Sequence, residues 1–421
     1  MRPAPTRDCL SIKVYKRSDS NQISESLLFL CYNFFMKILF VNLFVSYNSN
    51  SVIRNLKNMG HEVIEKTYYT PEDNYKDDRL YDMLKKDVTA TKCACVFTTN
   101  IWPLVARVCH DQRVPYLAWS YDSPQNLPTN QDLDYDTNFL FIFDRAEVEL
   151  YHKEGIEQVY HLPLAADVDR WDKIKPSGKS YDVSLLGTLY ESTLPMLLAG
   201  MDEYYSGYVS GLVEAQKKVY GYFLVDDLLT DEFMAGLNQL FREKNPKMEE
   251  DVTKRQLAYS IGSYLTYIER LSLLRLLGSR CDMHLFSSKI KEETKPLLKD
   301  ITIHDWVSYD TGMPQVFKDS KINLNPSLRI IRSGISLRCM DILGCGGFLL
   351  SSYQPELAEY FVPDEEVVLY DSMEDAVAKT MFYLEHDDIR QAIAHNGYEK
   401  VKTEFTYQKQ LQTIFDTAGL K

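Results

Sequence analysis

A chain of 421 residues that is 45% hydrophobic and 25% charged has the composition of a globular protein and the length of two or three domains. Its formal net charge of -13 argues against broad binding to nucleic acid or to an anionic membrane, but leaves room for a local basic pocket. The 8 cysteines are scattered without zinc-like spacing, so we expect reduced thiols, no metal site and a cytoplasmic location.

Residues 1–35 precede the first predicted strand. The run 27–45 has nearly the hydrophobic length of a membrane span and follows several basic residues, a pattern also typical of a signal or an anchor. Lys37 and two asparagines interrupt the run, and residues 36–42 look like a first strand beginning at its own start codon. We therefore expect an extension outside the fold, or a misassigned start, with at most peripheral membrane contact.

Short apolar runs alternate with helical segments over residues 36–165. This alternation predicts a doubly wound parallel sheet, the first of two Rossmann-like domains. The loops after Asn42, Thr99, Ser120 and Leu162 should share the edge where such sheets bind ligands. The predicted strands are Lys37–Asn42, His61–Lys66, Cys93–Thr99, Val114–Ser120, Asn138–Phe143 and Glu157–Leu162.

Residues 166–180 are polar and contain Pro176, Ser177 and Gly178, which indicates an interdomain linker. A second sheet starts at Tyr181–Leu186, and residues 192–280 are mainly helical in pattern, so we expect a helical insertion there. Alternation resumes at Asp282–Phe286 and continues to residue 400, and a closing helix falls within 401–421. Two such domains, 36–165 and 181–400, would face a cleft, and interdomain clefts are preferred ligand sites.

The stretch 321–353 has the order strand, basic loop, helix and strand. Arg329 and Arg332 lie in the loop, and a helix is predicted from about Gly334 to Gly344 with Ser333 as its N-cap. Two guanidiniums beside a helix N-terminus suit a diphosphate, and Asp341, two turns further, could accept hydrogen bonds from a ribose. A core helix with solvated arginines fits the same pattern, so both interpretations stand on the residues alone.

Two longer runs carry a family resemblance. The sequence SLRIIRSGISLRCMDILGCGGFLLSSYQPELAEYF, followed by EEVVLYDSMEDAV, resembles the C-terminal domain of GT-B glycosyltransferases, and more narrowly the spore-maturation (CgeB-type) glycosyltransferase-like proteins. YLAWSYDSP and HLPLAADVDRW are similar to segments of the domain that usually precedes it. The resemblance covers residues 36–419 and implies a nucleotide-sugar co-substrate in the second domain, an acceptor facing the first, and neither metal nor cofactor.

The resemblance also implies roles for particular residues. Asp341 falls where many retaining relatives have the second, ribose-binding glutamate of an E-x7-E pair. Ser333 stands where the first glutamate would be, which leaves retention or inversion open. Gly187 and Thr188 match the loop that approaches the phosphates, and Trp306 lies where such folds hold the base.

The remaining candidates come from their positions at predicted strand ends and on the helix. Asn323 and Asn325 end a strand at the cleft edge, where they could reach a ligand or cap the loop. Arg338 could reach the phosphates or pair with Asp341. Asp122 could be the base that deprotonates an acceptor hydroxyl, or it could simply initiate a turn before Ser-Pro.

These inferences favour a metal-independent glycosyltransferase. It would move a sugar from a nucleoside-diphosphate sugar to a hydroxyl on a glycan, a lipid-linked sugar or a surface protein. A nucleotide-sugar epimerase on the same fold is one alternative. A non-catalytic spore-coat or envelope assembly protein that keeps the nucleotide-binding fold is the other.

Overall fold

A computed structural model describes residues 35–44, 47–125, 127–247 and 250–420. The expected extension at 1–35 lies outside the described residues apart from Phe35. Residues Phe35–Lys421 form one compact unit that contains two parallel sheets. No helix among the described residues combines the length and the apolar character that crossing a membrane requires.

The first sheet has six parallel strands in the order β2-β1-β3-β4-β5-β6. Its central strands are continuous apolar runs because helices cover both faces of the sheet. The strands are β1 (Lys37–Asn42), β2 (Glu62–Thr67), β3 (Cys95–Thr99), β4 (Tyr116–Ser120), β5 (Asn138–Ile142) and β6 (Val159–His161). The accompanying helices are α1 (Tyr47–Asn58), α2 (Asp78–Thr91), α3 (Pro103–Asp111), α4 (Arg145–Lys153) and α5 (Val168–Trp171).

The segment predicted as a linker packs against the body of the protein. Trp171 of α5 is buried, and the Lys318 ammonium donates to the carbonyls of Trp171 and Ile174 at 2.6 and 2.7 Å. The backbone N–H of Ser177 donates to the Asp319 carboxylate. The connection between the sheets is therefore held at several points, whereas its predicted boundaries stay a prediction.

A helical insertion follows the first strand of the second sheet, β7 (Tyr181–Leu186). Its helices in the described part of the chain are α6 (Leu194–Gly200), α7 (Glu203–Gln216), α8 (Val225–Leu228), α9 (Asp231–Lys244) and α10 (Lys254–Gly278). The longest, α10, begins with a capping box in which Thr253 and Gln256 satisfy each other's backbone N–H groups. The insertion has its own apolar core, which includes Leu212, Leu237 and Leu257.

The second sheet is also parallel and six-stranded, in the order β12-β11-β10-β7-β8-β9. Its remaining strands are β8 (Met283–Phe286), β9 (Thr302–His304), β10 (Ser320–Asn325), β11 (Leu349–Ser352) and β12 (Val368–Tyr370). Its helices are α11 (Gly312–Asp319), α12 (Leu337–Gly344), α13 (Pro355–Tyr360), α14 (Met373–Glu385) and α15 (Asp387–Glu404). The last helix, α16 (Tyr407–Thr417), returns to pack on α1 and β5 of the first sheet.

The predicted α/β architecture, two doubly wound sheets with a helical insertion in the second, is confirmed. One prediction within it is wrong. The helix expected from Gly334 with Ser333 as its N-cap begins at Leu337, with Ser336 as the N-cap. The reason is that Asp144 accepts hydrogen bonds from the backbone N–H groups of Arg332 and Ser333, which holds that segment in a loop.

Candidate functional site

A cavity of about 440 Å³ lies where loops from the carboxyl ends of the two sheets meet. Tyr121 and Asp122 follow β4 of the first sheet, and Gly187 follows β7 of the second. Ligands in doubly wound sheets bind at this edge, and pockets of about 300–1,000 Å³ are typical for small molecules. The cleft that the alternation predicts is therefore present, and its volume is large enough for a small-molecule ligand.

Seven of the predicted site residues line this cavity: Asp122, Gly187, Thr188, Trp306, Asn325, Arg338 and Asp341. Their predicted roles stay predictions, since the structure establishes only that they share the cleft. The other five lie elsewhere: Asn323, Arg329, Arg332, Ser333 and Gly334.

The Arg329 side chain contacts residues of the helical insertion. The expectation that it faces the cleft is therefore wrong. Its guanidinium pairs with Glu269 at 3.3 Å and donates to the carbonyls of Gln216 and Val219. It also lies 3.9 Å from the centre of the Tyr220 ring. The protein itself thus neutralises this buried charge, and the guanidinium is not placed to bind a diphosphate.

Residues 332–334 are held by carboxylates of the protein itself rather than cradling an anion. The Arg332 guanidinium makes two hydrogen bonds to Asp226, at 2.5 and 3.1 Å. The Ser333 hydroxyl lies 2.8 Å from carboxylate oxygens of both Asp144 and Glu356. A Cβ on Gly334 would lie 2.7 Å from the backbone of Asp144, so only glycine permits this approach. The expected diphosphate cradle at Arg332, Ser333 and Gly334 is wrong in its placement.

Asn323 is also a structural residue. Its side chain is only 1% exposed and lies inside the second sheet. The amide oxygen accepts a hydrogen bond from Ser184 at 3.2 Å, and the amide nitrogen donates to the carbonyls of Phe317 and Phe348. Asn323 therefore cross-links neighbouring strands, as buried polar groups must when they are to stay satisfied.

Arg270 is a cleft residue that the sequence reasoning missed. It projects from α10, is buried, and lines the cavity beside Gly187. Its guanidinium donates to the carbonyls of Pro326 and Thr188 and lies 4.8 Å from the centre of the Tyr190 ring. Burial lowers its pKa. Among the described residues, no carboxylate lies within ion-pairing distance of this guanidinium. Carbonyl groups and the Tyr190 ring contact it directly, and the charge of Glu269 acts on it from beyond that distance.

A signal for Arg270 does exist in the sequence. Leu273, Leu274 and Leu277, three, four and seven residues further along α10, are all fully buried. Arg270 therefore occupies the apolar face of a helix, where an arginine is exceptional unless it is paired or binds something. The sequence pattern predicts residues 192–280 to be mainly helical, but that prediction does not place Arg270 on a buried helix face.

The N-terminus of α12 forms the opposite wall of the cavity. The N-cap Ser336 makes no side-chain cap hydrogen bond, so its hydroxyl satisfies none of the first N–H groups of the helix, whereas its carbonyl accepts from the Cys339 N–H at 3.0 Å. Arg338 pairs with Asp341 at 3.3 Å, and the Tyr309 hydroxyl donates to the other Asp341 oxygen at 2.8 Å. Burial raises the pKa of Asp341 to about 6, and Arg338 and Tyr309 oppose this effect.

Asp122 lies on the first-sheet side of the cavity. The Asn100 amide donates to its carboxylate at 2.7 Å, which fixes the side chain. Desolvation raises the Asp122 pKa, and the Asn100 hydrogen bond acts in the opposite direction. A positioned carboxyl group with a raised pKa in a cleft is a candidate general base.

Asn325 and Trp306 complete the predicted set in the cleft. The Asn325 amide nitrogen lies 3.2 Å from the hydroxyls of Ser327 and Ser351, so it orders the floor of the cavity. Trp306 follows β9 and is 54% exposed, which is a large apolar surface beside a cavity. Within the described residues, no group of three or more His, Cys, Asp or Glu side chains could hold a metal ion.

Comparison with known proteins indicates which class of protein has this fold and this cleft. Residues 269–416 match the model of a family described as glycosyl transferase-like. The segment includes Arg270, Arg338 and Asp341. No curated protein matches the chain.

Solved structures give further matches that extend over nearly the whole chain. A glycosyltransferase from Rickettsia africae matches with a TM-score of 0.57 at 10% identity, over 91% of this chain and 98% of that one. HepE from Anabaena, in complex with UDP-glucose, matches with a TM-score of 0.54 at 12% identity, over 91% and 99%. The sucrose-phosphate synthase of Thermosynechococcus elongatus matches with a TM-score of 0.53 at 11% identity, over 90% and 98%.

At such low identity these structures show the fold, which is GT-B. Together, the fold and the matched segment support a glycosyltransferase of the GT-B type. The narrower resemblance to CgeB-type proteins stays a prediction.

Proposed function

We propose that this protein transfers a sugar from a nucleoside diphosphate to an acceptor hydroxyl in the cleft between its two sheets. The observation that carries the proposal is the buried Arg270 guanidinium, which has no carboxylate partner among the described residues. Keeping an unpaired charge in the protein interior is costly. A diphosphate bound beside Arg270 would supply the missing negative charge.

The diphosphate would bind between Arg270 and the N-terminus of α12. Gly187 has a backbone φ of +150°, a conformation suited to glycine, and a Cβ there would lie 3.2 Å from the Arg270 guanidinium. Anions are stabilised by the free N–H groups and the dipole at a helix N-terminus. Arg338, at the start of α12, would add a second positive charge once its contact with Asp341 is shared with the ligand.

These groups would also stabilise the departing nucleoside diphosphate. The bond between the sugar carbon and the diphosphate oxygen breaks, and the bonding electrons leave with the diphosphate. Preorganised donors aimed at that developing charge lower the barrier, and losing one such donor typically costs on the order of 3 kcal/mol. This chemistry needs no bound metal, so we expect that a chelator leaves the activity unchanged.

Asp122 would act as the general base on the acceptor side. The acceptor oxygen forms a bond to the sugar carbon, and its proton passes to the Asp122 carboxylate. The hydrogen bond from Asn100 fixes the carboxylate in the cleft, and the raised pKa improves its basicity. A positioned base typically contributes a factor of about 10²–10⁴ in rate.

Asp122→Asn tests this assignment. Thermal-shift measurements with UDP, GDP, CDP and TDP identify the nucleotide, and UDP is the first choice because HepE, which shares the fold, was crystallised with UDP-glucose. With the matching nucleotide sugar, Asp122→Asn should reduce sugar transfer by about 10²–10⁴-fold while nucleotide affinity stays unchanged. Asp136→Asn is the matched control, because the Asp136 side chain is 73% exposed.

Three results would contradict the proposal. Full activity of Asp122→Asn would remove Asp122 from the chemistry. Nucleotide binding by the wild type with neither transfer nor hydrolysis of any donor would instead support the assembly-protein alternative, and sugar exchange without an acceptor would support an epimerase.

A further inference from the structure

A second cavity of about 480 Å³ lies between the first domain and the helical insertion, and we call it the side chamber. Tyr151 lies on α4, Asp226 on α8, and Arg255 on α10. The chamber and the cleft share a thin wall, because Ser123 lines the cleft and the next residue, Pro124, lines the chamber. The volume is again typical of a small-molecule site.

Two buried polar groups of the side chamber have no hydrogen-bond partner among the described residues. One is the hydroxyl of Tyr151, a residue that is only 2% exposed. The other is Nη1 of Arg332, whose remaining guanidinium nitrogens bind Asp226. Buried polar groups are nearly always satisfied in native proteins. Two such groups on residues that line one cavity favour a polar ligand there.

The charges of the chamber select the kind of polar ligand. Asp226 pairs with Arg332, and Glu154 pairs with Arg255 at 3.3 Å. Both acidic and basic side chains therefore line the space, and a ligand of either charge would meet a group of its own sign. A hydroxyl both donates and accepts hydrogen bonds, so it can satisfy the Arg332 N–H and the neighbouring carboxylates together.

The apolar part of the lining points in the same direction. Pro124, Pro128, Leu150, Ala258 and Ile330 bring carbon surface into the chamber. A sugar ring combines such an apolar C–H face with a rim of hydroxyls, as the mixture of groups in the chamber requires.

Glu147 connects the chamber to the proposed base. It lines the chamber, and its carboxylate accepts hydrogen bonds from the Ser123 hydroxyl and from the Gln125 backbone at 2.6 Å. Ser123 directly follows Asp122 in the chain. A ligand in the chamber therefore lies against the loop that holds Asp122 in the cleft.

We propose that the side chamber binds a neutral sugar residue of the acceptor, so that the acceptor is a glycan rather than a single small alcohol. The identification of this sugar as part of the acceptor rests on the proposed function. The binding of a neutral sugar in the chamber does not, so the two can fail separately.

The test uses the full chain and neutral sugars as probes. Methyl glucoside, methyl galactoside, methyl mannoside, methyl N-acetylglucosaminide, maltose and lactose are titrated and followed by saturation-transfer NMR and calorimetry. Tyr151→Phe removes only the unsatisfied hydroxyl, and Thr129→Trp fills the chamber from an exposed position. Tyr383→Phe is the control, a buried tyrosine in the second sheet's core.

We expect at least one sugar to bind the wild type, and Tyr151→Phe to weaken that binding roughly five- to tenfold through the lost hydrogen bond. Thr129→Trp should abolish it, Tyr383→Phe should not change it, and UDP affinity should be the same in all four proteins. Failure of every sugar to bind the wild type would overturn the proposal. Wild-type sugar affinity in both Tyr151→Phe and Thr129→Trp would overturn it as well. If sugars bind in the chamber but no nucleotide binds in the cleft, the sugar-binding proposal is supported and the transferase assignment fails.

Discussion

Two arginines in the second half of the protein show how differently the same side chain is used. Arg329 and Arg270 are both buried, and Arg270 donates to the carbonyl of Pro326, three residues before Arg329. Arg329 has the carboxylate of Glu269 as its partner, whereas Arg270, the next residue after Glu269 on α10, has only carbonyl groups and a tyrosine ring. Of the two, the one that the protein leaves without a carboxylate partner is the one that we propose binds the diphosphate.

The difference lies in the neighbours, which a linear motif does not display. A loop with two arginines ahead of a predicted helix N-terminus fits an anion site by pattern. The partners Glu269 and Asp226 come from the helical insertion, which is far from that loop in the sequence. A mutation of the paired arginine should therefore lower stability, whereas a mutation of the unpaired arginine should weaken ligand binding.

Arg329→Met should give the largest loss of stability. It leaves Glu269 as an uncompensated buried carboxylate, and breaking a buried ion pair in this way typically costs about 3–5 kcal/mol. Urea denaturation monitored by circular dichroism measures the loss. Arg113→Met is the matched control, because the exposed pair of Arg113 with Asp136 is worth at most about 1 kcal/mol. A loss no larger than that of the control would show that Arg329 is not held as described.

Asp341 should make stability depend on pH in a definite direction. Its pKa is about 6 in the folded protein, above the value of 3.8 expected for an unperturbed aspartate. The folded chain thus binds this proton more tightly than the unfolded chain does. The resulting stabilisation is fully present below pH 3.8 and is lost as the pH rises through about 6.

Asp341→Asn removes this titration. Between pH 5 and 7, we expect the wild type to lose up to about 1 kcal/mol per pH unit more than Asp341→Asn does. Thermal unfolding of both proteins across this range provides the measurement. Parallel stability profiles would mean that Asp341 titrates normally in the fold.

Removing residues 1–35 should have the smallest effect. The compact unit begins at Phe35, and Met36 is buried against it, with its backbone N–H 3.4 Å from His61. A chain starting at Met36 should therefore keep the melting temperature and the nucleotide affinity of the full chain. Failure of this shorter chain to fold would make the extension part of the structure.

Most of the fold could be predicted because each strand carries its own signal. Lys37–Asn42 and Tyr181–Leu186 were predicted at their observed bounds, since a short, mostly apolar run between turn residues is typical of a buried parallel strand. The start of α12 could not be predicted. Asp144, nearly two hundred residues earlier, decides it by binding the backbone of Arg332 and Ser333.

The candidate site was predictable in part for a similar reason. Asp122 and Gly187 follow strands, and the topology alone brings the ends of parallel strands to one edge. The partners of Arg270 and Arg329 depend on which side chains meet in three dimensions, and for Arg329 neither local pattern nor spacing contains that information. Periodicity on α10 was the one overlooked clue.

The most direct test of the account is the dissociation constant of UDP, measured by calorimetry, for Arg270→Lys and Arg332→Lys side by side. Each variant keeps the positive charge and loses the planar fork of donors. We predict that Arg270→Lys binds UDP roughly 10–100-fold more weakly, as expected for losing hydrogen bonds between charged groups, and that Arg332→Lys binds it like the wild type. Unchanged affinity in Arg270→Lys together with weakened binding in Arg332→Lys would contradict the account and return the diphosphate to the basic loop.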